Sequence, residues 1–201
     1  MSPLKVKTRS WFERWHKPSE FFRAAKEGVL ACFTADAVVP HFLREAYIVG
    51  AFAQIWRDAR GPCQVQLVSK EEKFPDARLR LDGMCLDIEI TMALAKGKKM
   101  FKEWRESKQG PYSPALTDKQ RKAIAREAIP RVVKRKATKH YAVPPTLLVY
   151  TDDGRALTPP ELAQLTKPWK DNFRSIYLLC GMDVVETWPK LCILRGQEPF
   201  Y

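Results

Sequence analysis

Residues 74–91, FPDARLRLDGMCLDIEIT, contain the pattern that decides the fold. Apolar and polar residues alternate on both sides of Asp82-Gly83. An Asp-Gly pair between two alternating segments is the strongest short-range signal of a β-hairpin. Because a two-residue turn fixes the strand register, Leu81 is predicted to face Met84, and the pairing continues outward from there.

The two faces of this predicted hairpin differ in character, because facing residues point to the same side of a sheet. One face is wholly apolar and is predicted to lie against the core: Ala77, Leu79, Leu81, Met84, Leu86, Ile88 and Ile90. The other face is polar: Asp76, Arg78, Arg80, Cys85, Asp87, Glu89 and Thr91.

The polar face sets two carboxylates against each other, since the register makes Asp76 face Glu89. In a non-hydrogen-bonded pair of this kind the Cα atoms lie about 4.5 Å apart, and facing like charges destabilise a sheet. A divalent cation would relieve the repulsion, because hard cations take carboxylate oxygens at roughly 2.0–2.6 Å. Asp87 is a weaker candidate ligand, since it faces Arg78. The alternatives are a polar face in water, or a bulge that breaks the register.

The rest of the chain predicts helices and strands around this hairpin. Helices are expected over 19–31, 41–60, 92–110, 118–141 (with a break at Pro130 as an alternative) and 159–166. Further strands are expected over 63–68 and 146–151, with a final hairpin over 175–188 that turns at Gly181-Met182. This order predicts an α/β fold in which helices flank one mixed central sheet.

The composition favours one globular domain over 1–201, with 1–18 as a basic arm or a short amphipathic helix. The chain has 201 residues, of which 45% are hydrophobic. No apolar run approaches the roughly 20 residues needed to span a bilayer. Five scattered cysteines favour free thiols in a reducing cytosol, and three histidines argue against a His-rich metal site. The expected location is the cytoplasm, with no membrane partner.

The formal net charge of +12 predicts a polyanionic partner, with nucleic acid ahead of an anionic membrane. Residues 118–141 hold nine Lys or Arg against two acids. The densest part of this stretch is predicted to contact phosphates: Arg131, Lys134, Arg135, Lys136 and Lys139. A second basic run, 96–108, includes Lys99. The alternative is a solvated helix face, which charge runs often form.

The hairpin resembles the PD-(D/E)XK nuclease superfamily, which has a restriction-endonuclease-like fold. Pro75-Asp76 on one strand and Glu89-Ile90-Thr91 on the next are similar to its motif, and Glu45 on the preceding helix matches a further acidic residue of the family. The resemblance covers roughly 40–151, and the hairpin is also similar to that of small uncharacterised bacterial proteins. It implies that Asp76 and Glu89 bind Mg²⁺ or Mn²⁺ and that Glu45 completes a catalytic site.

The sequence departs from the family pattern at Thr91, where the motif has a lysine. A neutral hydroxyl cannot replace that positive charge. Another lysine could supply it, and the candidates nearest the hairpin in sequence are Lys73, Lys96 and Lys99. Otherwise the site works slowly on the metal alone, or it only binds.

The predicted function is therefore a metal-dependent nuclease-like protein that hydrolyses phosphodiester bonds of DNA. One alternative is a non-catalytic nucleic-acid-binding module with the same fold. Another is a protein-interaction module that uses its basic surface. DNA is expected ahead of RNA, and a homodimer is compatible with the family.

Overall fold

The structure is a computed structural model that describes residues 6–72, 74–97 and 116–180, and the strand backbone of 190–193. Its helices are α1 (Arg9–Phe12), α2 (Pro18–Thr34), α3 (His41–Arg60), α4 (Asp118–Ala137) and α5 (Pro159–Thr166). Short 3-10 helices lie at Gly154–Ala156 and Lys167–Asn172. Its strands are β1 (Gln64–Leu67), β2 (Ala77–Leu81), β3 (Met84–Met92), β4 (Thr146–Thr151), β5 (Ser175–Cys180) and β6 (Lys190–Ile193).

The described strands form one sheet in the order β1-β2-β3-β4-β5-β6. The pairs β1–β2, β2–β3 and β5–β6 are antiparallel, whereas β4–β5 is parallel. The predicted α/β class, with a mixed sheet flanked by helices, is confirmed. The restriction-endonuclease-like character of the core stays a prediction.

The chain divides into two compact units, 1–88 and 89–201. The first unit holds α1, α2, α3, β1, β2 and the start of β3. The second holds the end of β3 and everything that follows it. A single domain over 1–201 therefore stays a prediction.

The core of the first unit is built on α2 and α3, which pack on each other. Phe21 and Val29 of α2 are fully buried, as are Leu43 and Phe52 of α3. α3 covers the predicted range 41–60, and Gly61 follows it with a φ of 106° that favours glycine. Within the segment expected as an arm, α1 buries Phe12 completely.

The hairpin has the predicted turn and register. Asp82 and Gly83 both have positive φ, 43° and 81°, as a type I′ turn requires. The ladder pairs run from Leu81↔Met84 to Ala77↔Ile88. The expected core face is wrong at the turn, however, since Leu81 is only half-buried and Met84 is 43% exposed. Both flank the turn at the hairpin tip, beyond the reach of the core.

The core of the second unit lies between α4 and the fully buried strands β4 and β5. α4 buries Ala125, Ala128, Ile129, Val132 and Val133. Ile124 on the same helix is half-buried. Thr117 and Gln120 form a capping box at the start of α4. α4 runs unbroken through Pro130 and ends at Ala137, four residues earlier than expected.

Two predictions around the second unit are wrong. The segment from residue 92 is not helical at first, because Met92 still belongs to β3 and the Ala93 N–H donates to the Tyr150 carbonyl at 2.8 Å. Sheet pairing overrides the local helical pattern there, while 98–115 lie outside the described residues. The tight turn at Gly181-Met182 is also wrong, because Cys180 pairs with Lys190 rather than with Asp183.

Two expectations from composition concern thiols and membrane helices. Within the described residues, Cys32, Cys63, Cys85 and Cys180 form no disulfide, as expected. Among the helices of the described ranges, none has the length and apolar character to cross a bilayer.

Candidate functional site

Glu89 is a buried acidic residue near the end of β3, and its exposed fraction is 1%. Thr91, two residues further on the same strand, is 4% exposed. The alternative that this polar face lies in water is therefore wrong for both residues. A buried carboxylate needs partners, because an unpaired charge away from water is costly.

Two lysines at the end of α4 provide these partners. The Lys136 Nζ donates to the Glu89 Oε1, and the Lys139 Nζ donates to the same oxygen at 2.7 Å. Lys136 lies on the last turn of α4, and Lys139 follows the helix end. The Lys139 amide donates to the Lys136 carbonyl at 3.1 Å, so a tight turn keeps the two residues close to each other. The Lys136 side chain is 11% exposed and that of Lys139 is 50% exposed.

The two lysines determine the charge state of Glu89. Burial on its own raises the pKa of this carboxyl group, but hydrogen bonds and positive charges from Lys136 and Lys139 outweigh burial and lower the pKa below its ordinary value. Glu89 is therefore ionised at neutral pH, and its one carboxylate forms ion pairs with two ammonium groups.

The second oxygen of Glu89 accepts no hydrogen bond from the described residues. This oxygen, Oε2, is buried. An ionised carboxylate has about four acceptor positions, and a buried acceptor left unused costs about 1–3 kcal/mol. Oε2 is thus an acceptor suited to a metal ion or to a hydrogen-bond donor of a ligand.

A third cation holds the strand beyond Glu89. The Arg135 Nη2 donates to the Thr91 Oγ1 at 3.2 Å. Thr91, where the resemblance expects a lysine, thus accepts a hydrogen bond from the Arg135 guanidinium. We call Glu89, Thr91, Arg135, Lys136 and Lys139 the Glu89 cluster.

The predicted phosphate-binding residues of this stretch divide into those that contact β3 and those that do not. Arg135, Lys136 and Lys139 donate to side chains of β3. Arg131 donates to the Leu94 carbonyl at 2.8 Å and to Glu127 at 3.1 Å. Lys134 is exposed and has no ion pair within the described ranges.

Glu45 lies in the first unit, on α3, with its side chain 13% exposed. Its Oε1 lies 3.1 Å from the His41 Nδ1. Burial raises the pKa of Glu45 and the charge of Asp76 raises it further, whereas His41 and Arg9 act in the opposite direction. The net pKa is above the ordinary value. The structure therefore brings Glu45 and Asp76 close enough for their charges to interact.

Asp76 immediately precedes β2 and is half-buried. Its amide donates to the Ile88 carbonyl at 3.0 Å and its carbonyl accepts from the Val68 amide at 3.1 Å, so its backbone is fixed. Ala77↔Ile88 is the last pair of the β2–β3 ladder, and the facing of Asp76 and Glu89 just beyond it stays a prediction.

Asp87 has the role that the register gave it. The Arg78 Nε donates to its Oδ1 at 3.2 Å, and the Arg78 Nη2 donates to Glu72 at 2.9 Å. Asp87 therefore serves an ion pair on the hairpin surface. This contact leaves Glu89 and Asp76 as the stronger candidates for a metal.

The lysines expected to replace Thr91 are not the ones found beside Glu89. Lys96 is exposed on the segment after β3, while Lys73 and Lys99 lie outside the described residues. Sequence reasoning noted Lys136 and Lys139 only as phosphate contacts. Their common signal in the sequence was their place in the densest part of the basic stretch 118–141. Over the described parts of the chain, no group of three or more His, Cys, Asp or Glu side chains could hold a metal ion.

Comparisons with known proteins give no relative for this chain. No protein-family model matches the sequence, and neither the curated proteins nor the solved structures yield a match. Function therefore has to be inferred from the residues themselves.

Proposed function

We propose that this chain is a metal-dependent nuclease-like protein that hydrolyses phosphodiester bonds of DNA. The observation that supports this most directly is the state of Glu89. It is buried, one of its oxygens accepts hydrogen bonds from Lys136 and Lys139, and the other oxygen has no partner among the described residues. The resemblance requires a lysine beside this acid. Lys136 and Lys139, at the end of α4, take that place, since Thr91 carries no charge.

The chemistry of Glu89 fits the expected metal. Mg²⁺ and Mn²⁺ prefer hard oxygen ligands such as an ionised carboxylate. The carboxylate of Glu89 can offer its Oε2 as such a ligand. The resemblance adds Asp76 as the other ligand and Glu45 as a further acidic residue of the site. When bound, the metal polarises the scissile phosphate and lowers the pKa of its bound water.

The chain's own cations have separate parts in this proposal. Lys136 is nearly buried, so it positions Glu89 and keeps it ionised. Lys139 is half-exposed, so its ammonium group can also reach a phosphate from solvent. Fixed positive charge in a partly dry site stabilises the negative charge that develops on a phosphate during hydrolysis. Arg135 holds Thr91 and so fixes the end of β3.

A second candidate function is a non-catalytic nucleic-acid-binding module. The charge of the Glu89 cluster favours it, because Glu89 is its one acidic member and Arg135, Lys136 and Lys139 are its cations. Cations that neutralise phosphates release counterions and give salt-dependent binding without any catalysis. Exposed Lys134, on the same turn, would add to such a surface.

The deciding experiment is a Mn²⁺-dependent cleavage assay on fluorescent single- and double-stranded DNA. We expect the wild type to cut, Glu89→Gln to lose cleavage, and Lys139→Met to cut about 10–100-fold more slowly, the usual effect of removing a partner of a metal ligand. Lys119→Met is the control, because it removes the same charge from an exposed position on the first turn of α4. We expect it to cut as the wild type does.

The other outcomes are equally definite. Cleavage that survives in Glu89→Gln contradicts the proposed site and points to a contaminant. Salt-sensitive binding without cleavage selects the binding module. Absence of both at physiological salt selects a protein-interaction module.

A charge swap tests whether Lys136 stands in for the motif lysine. Lys136→Met should slow cleavage, and adding Thr91→Lys to it should restore part of the rate. The swap keeps the number of cations unchanged, because one lysine is removed and one is added. A swap that folds and restores nothing contradicts the substitute role of Lys136.

A further inference from the structure

The first unit contains a cleft of about 370 Å³ at the start of α2. Its charged lining is three cations, Lys17, Arg57 and Arg80, and one acid, Asp82. Small-molecule sites commonly have volumes of about 300–1,000 Å³. We propose that this cleft binds the phosphate group of a nucleotide-sized phosphate monoester.

Arg80 is held in place before any ligand arrives. Its guanidinium carbon lies 4.6 Å from the centre of the Trp15 ring, and its Nη2 donates to the Gln64 Oε1. A guanidinium has five N–H donors in a rigid fork. Stacking fixes the plane of this fork, so little conformational freedom is lost when an anion binds.

Arg57 is also fixed, by a neighbour outside the cleft lining. Its Nε and Nη2 donate to the Asp58 Oδ1 at 2.9 and 2.6 Å. Asp58 therefore offsets part of the positive charge of Arg57. Lys17 and Arg80 still outnumber Asp82, so the cleft keeps an excess of positive charge.

The start of α2 adds a further contribution to this cleft. The 17-residue helix begins without a side-chain cap from Lys17, and Pro18 has no N–H to donate. The Ser19 amide has no hydrogen bond among the described contacts. Helix N-termini attract anions through such amides and through the helix dipole. Together with the three side chains, this end of α2 forms a cradle for a phosphate.

The rest of the lining is neutral and suits the organic part of the ligand. Pro18, Pro62 and Cys63 all line the cleft. Burial raises the pKa of the Cys63 thiol to about 11, with nearby Arg57 lowering it and Asp58 raising it. This thiol is therefore uncharged at neutral pH. A ligand with a phosphate at one end and a neutral ring system at the other matches this lining.

This inference does not depend on the proposed nuclease function. The cleft is formed by residues between 17 and 83, and it contains no member of the Glu89 cluster. The ligand chemistry has two sources, a free nucleotide or the phosphorylated end of a nucleic-acid strand.

Calorimetric titration of the full chain with AMP, adenosine and inorganic phosphate tests the cleft. We expect AMP to bind at least about tenfold more tightly than adenosine, as hydrogen bonds to a charged group imply. Arg57→Gln and Arg80→Gln should each weaken AMP binding about tenfold. Arg23→Gln removes the same charge from an exposed position on α2, and it should leave the affinity unchanged.

Arg80→Lys serves as a second variant, since Arg80→Gln also removes the stacking on Trp15. It keeps the charge but loses the fork, so it should still weaken AMP binding. A thermal melt of each variant checks that it is folded. Equal binding of AMP and adenosine overturns the proposal, as does a loss in Arg23→Gln that equals the loss in Arg57→Gln.

Oligonucleotides with a 5′-phosphate or a 5′-hydroxyl then separate the two sources. Tighter binding of the phosphorylated strand, lost in Arg57→Gln, identifies a strand end as the ligand. AMP binding without any such preference identifies a free nucleotide. Either result supports the phosphate site, and failure to bind AMP and both strands overturns it.

Discussion

Glu45 in the first unit and Glu89 in the second are two shielded carboxyl groups with opposite behaviour. Glu89 is the more buried, with 1% of its side chain exposed against 13% for Glu45. Burial raises the pKa of both groups. Nevertheless the pKa of Glu89 ends below its ordinary value and that of Glu45 ends above it. The deeper group is the easier one to ionise.

The difference lies in the neighbours of each group. Glu89 accepts hydrogen bonds from two ammonium groups, whereas Glu45 has the negative Asp76 nearby and only partial compensation from His41 and Arg9. In Glu89 the charged partners outweigh burial, whereas in Glu45 burial prevails over them. Glu89 is thus ionised by contacts within the protein. Glu45 stays easier to protonate unless a further cation binds beside it.

The largest expected effect comes from removing both partners of Glu89. The double variant Lys136→Met and Lys139→Met leaves a buried carboxylate without its ion pairs, and we expect it to lower the free energy of unfolding by about 3–5 kcal/mol. Urea unfolding at pH 7 measures the loss. Lys134→Met, from the same turn, should stay within about 0.5 kcal/mol of the wild type. Equal values for the two proteins would contradict the pairing.

Glu89→Gln should lower the free energy of unfolding less, by about 1–3 kcal/mol near pH 7. Because the folded pKa of Glu89 is lowered, its stabilisation is fully present above the unfolded pKa, ordinarily about 4.3. It is lost as pH falls through the folded pKa. The difference between wild type and variant should therefore shrink on acidification. A difference that is constant with pH would mean that charge is not the cause.

Glu45→Gln should act with the opposite sign and less strongly. Because the folded pKa of Glu45 is raised, the folded state holds its proton longer, and stability falls as pH rises from the unfolded to the folded pKa. The variant should therefore gain less than about 1 kcal/mol at pH 7. We expect the gain to disappear in acid. Parallel unfolding curves between pH 4 and 7 measure it, and a loss at pH 7 would contradict the raised pKa of Glu45.

The smallest effect is expected for the exposed pair on the hairpin. Arg78 and Asp87 side chains are 29% and 45% exposed, so solvent screens their attraction. Asp87→Asn should change the free energy of unfolding by about 0.5 kcal/mol or less. The same urea measurement applies at low and high salt. A large loss would show that this face is less hydrated than its exposure indicates.

Turn chemistry made the hairpin predictable from sequence. Asp82-Gly83 can form a two-residue turn with positive φ at both positions, and this alone sets every pair down to Ala77↔Ile88. The Gly181 signal was less specific, since a glycine starts many kinds of loop. There the real partner of Cys180 is Lys190.

The partners of Glu89 could not be predicted in the same way. Lys136 and Lys139 are 47 and 50 residues away along the chain. Their contact depends on how α4 packs beside β3, a tertiary relation that no local pattern encodes. The sequence instead pointed to Lys73, Lys96 and Lys99, because they are close to the hairpin along the chain. It indicated Glu89 and the basic end of α4 separately, but not the contact between them.

Pro130 in the middle of α4 has a consequence for how the end of this helix is held beside Glu89. A proline has no N–H, so the carbonyl of Arg126 loses its helical donor. The capping box at Thr117 supports only the start of the helix. The turns after Pro130 are held by buried Val132 and Val133 and by the ion pairs of Lys136 and Lys139 with Glu89. The position of both ammonium groups therefore depends on tertiary contacts more than on the backbone of α4.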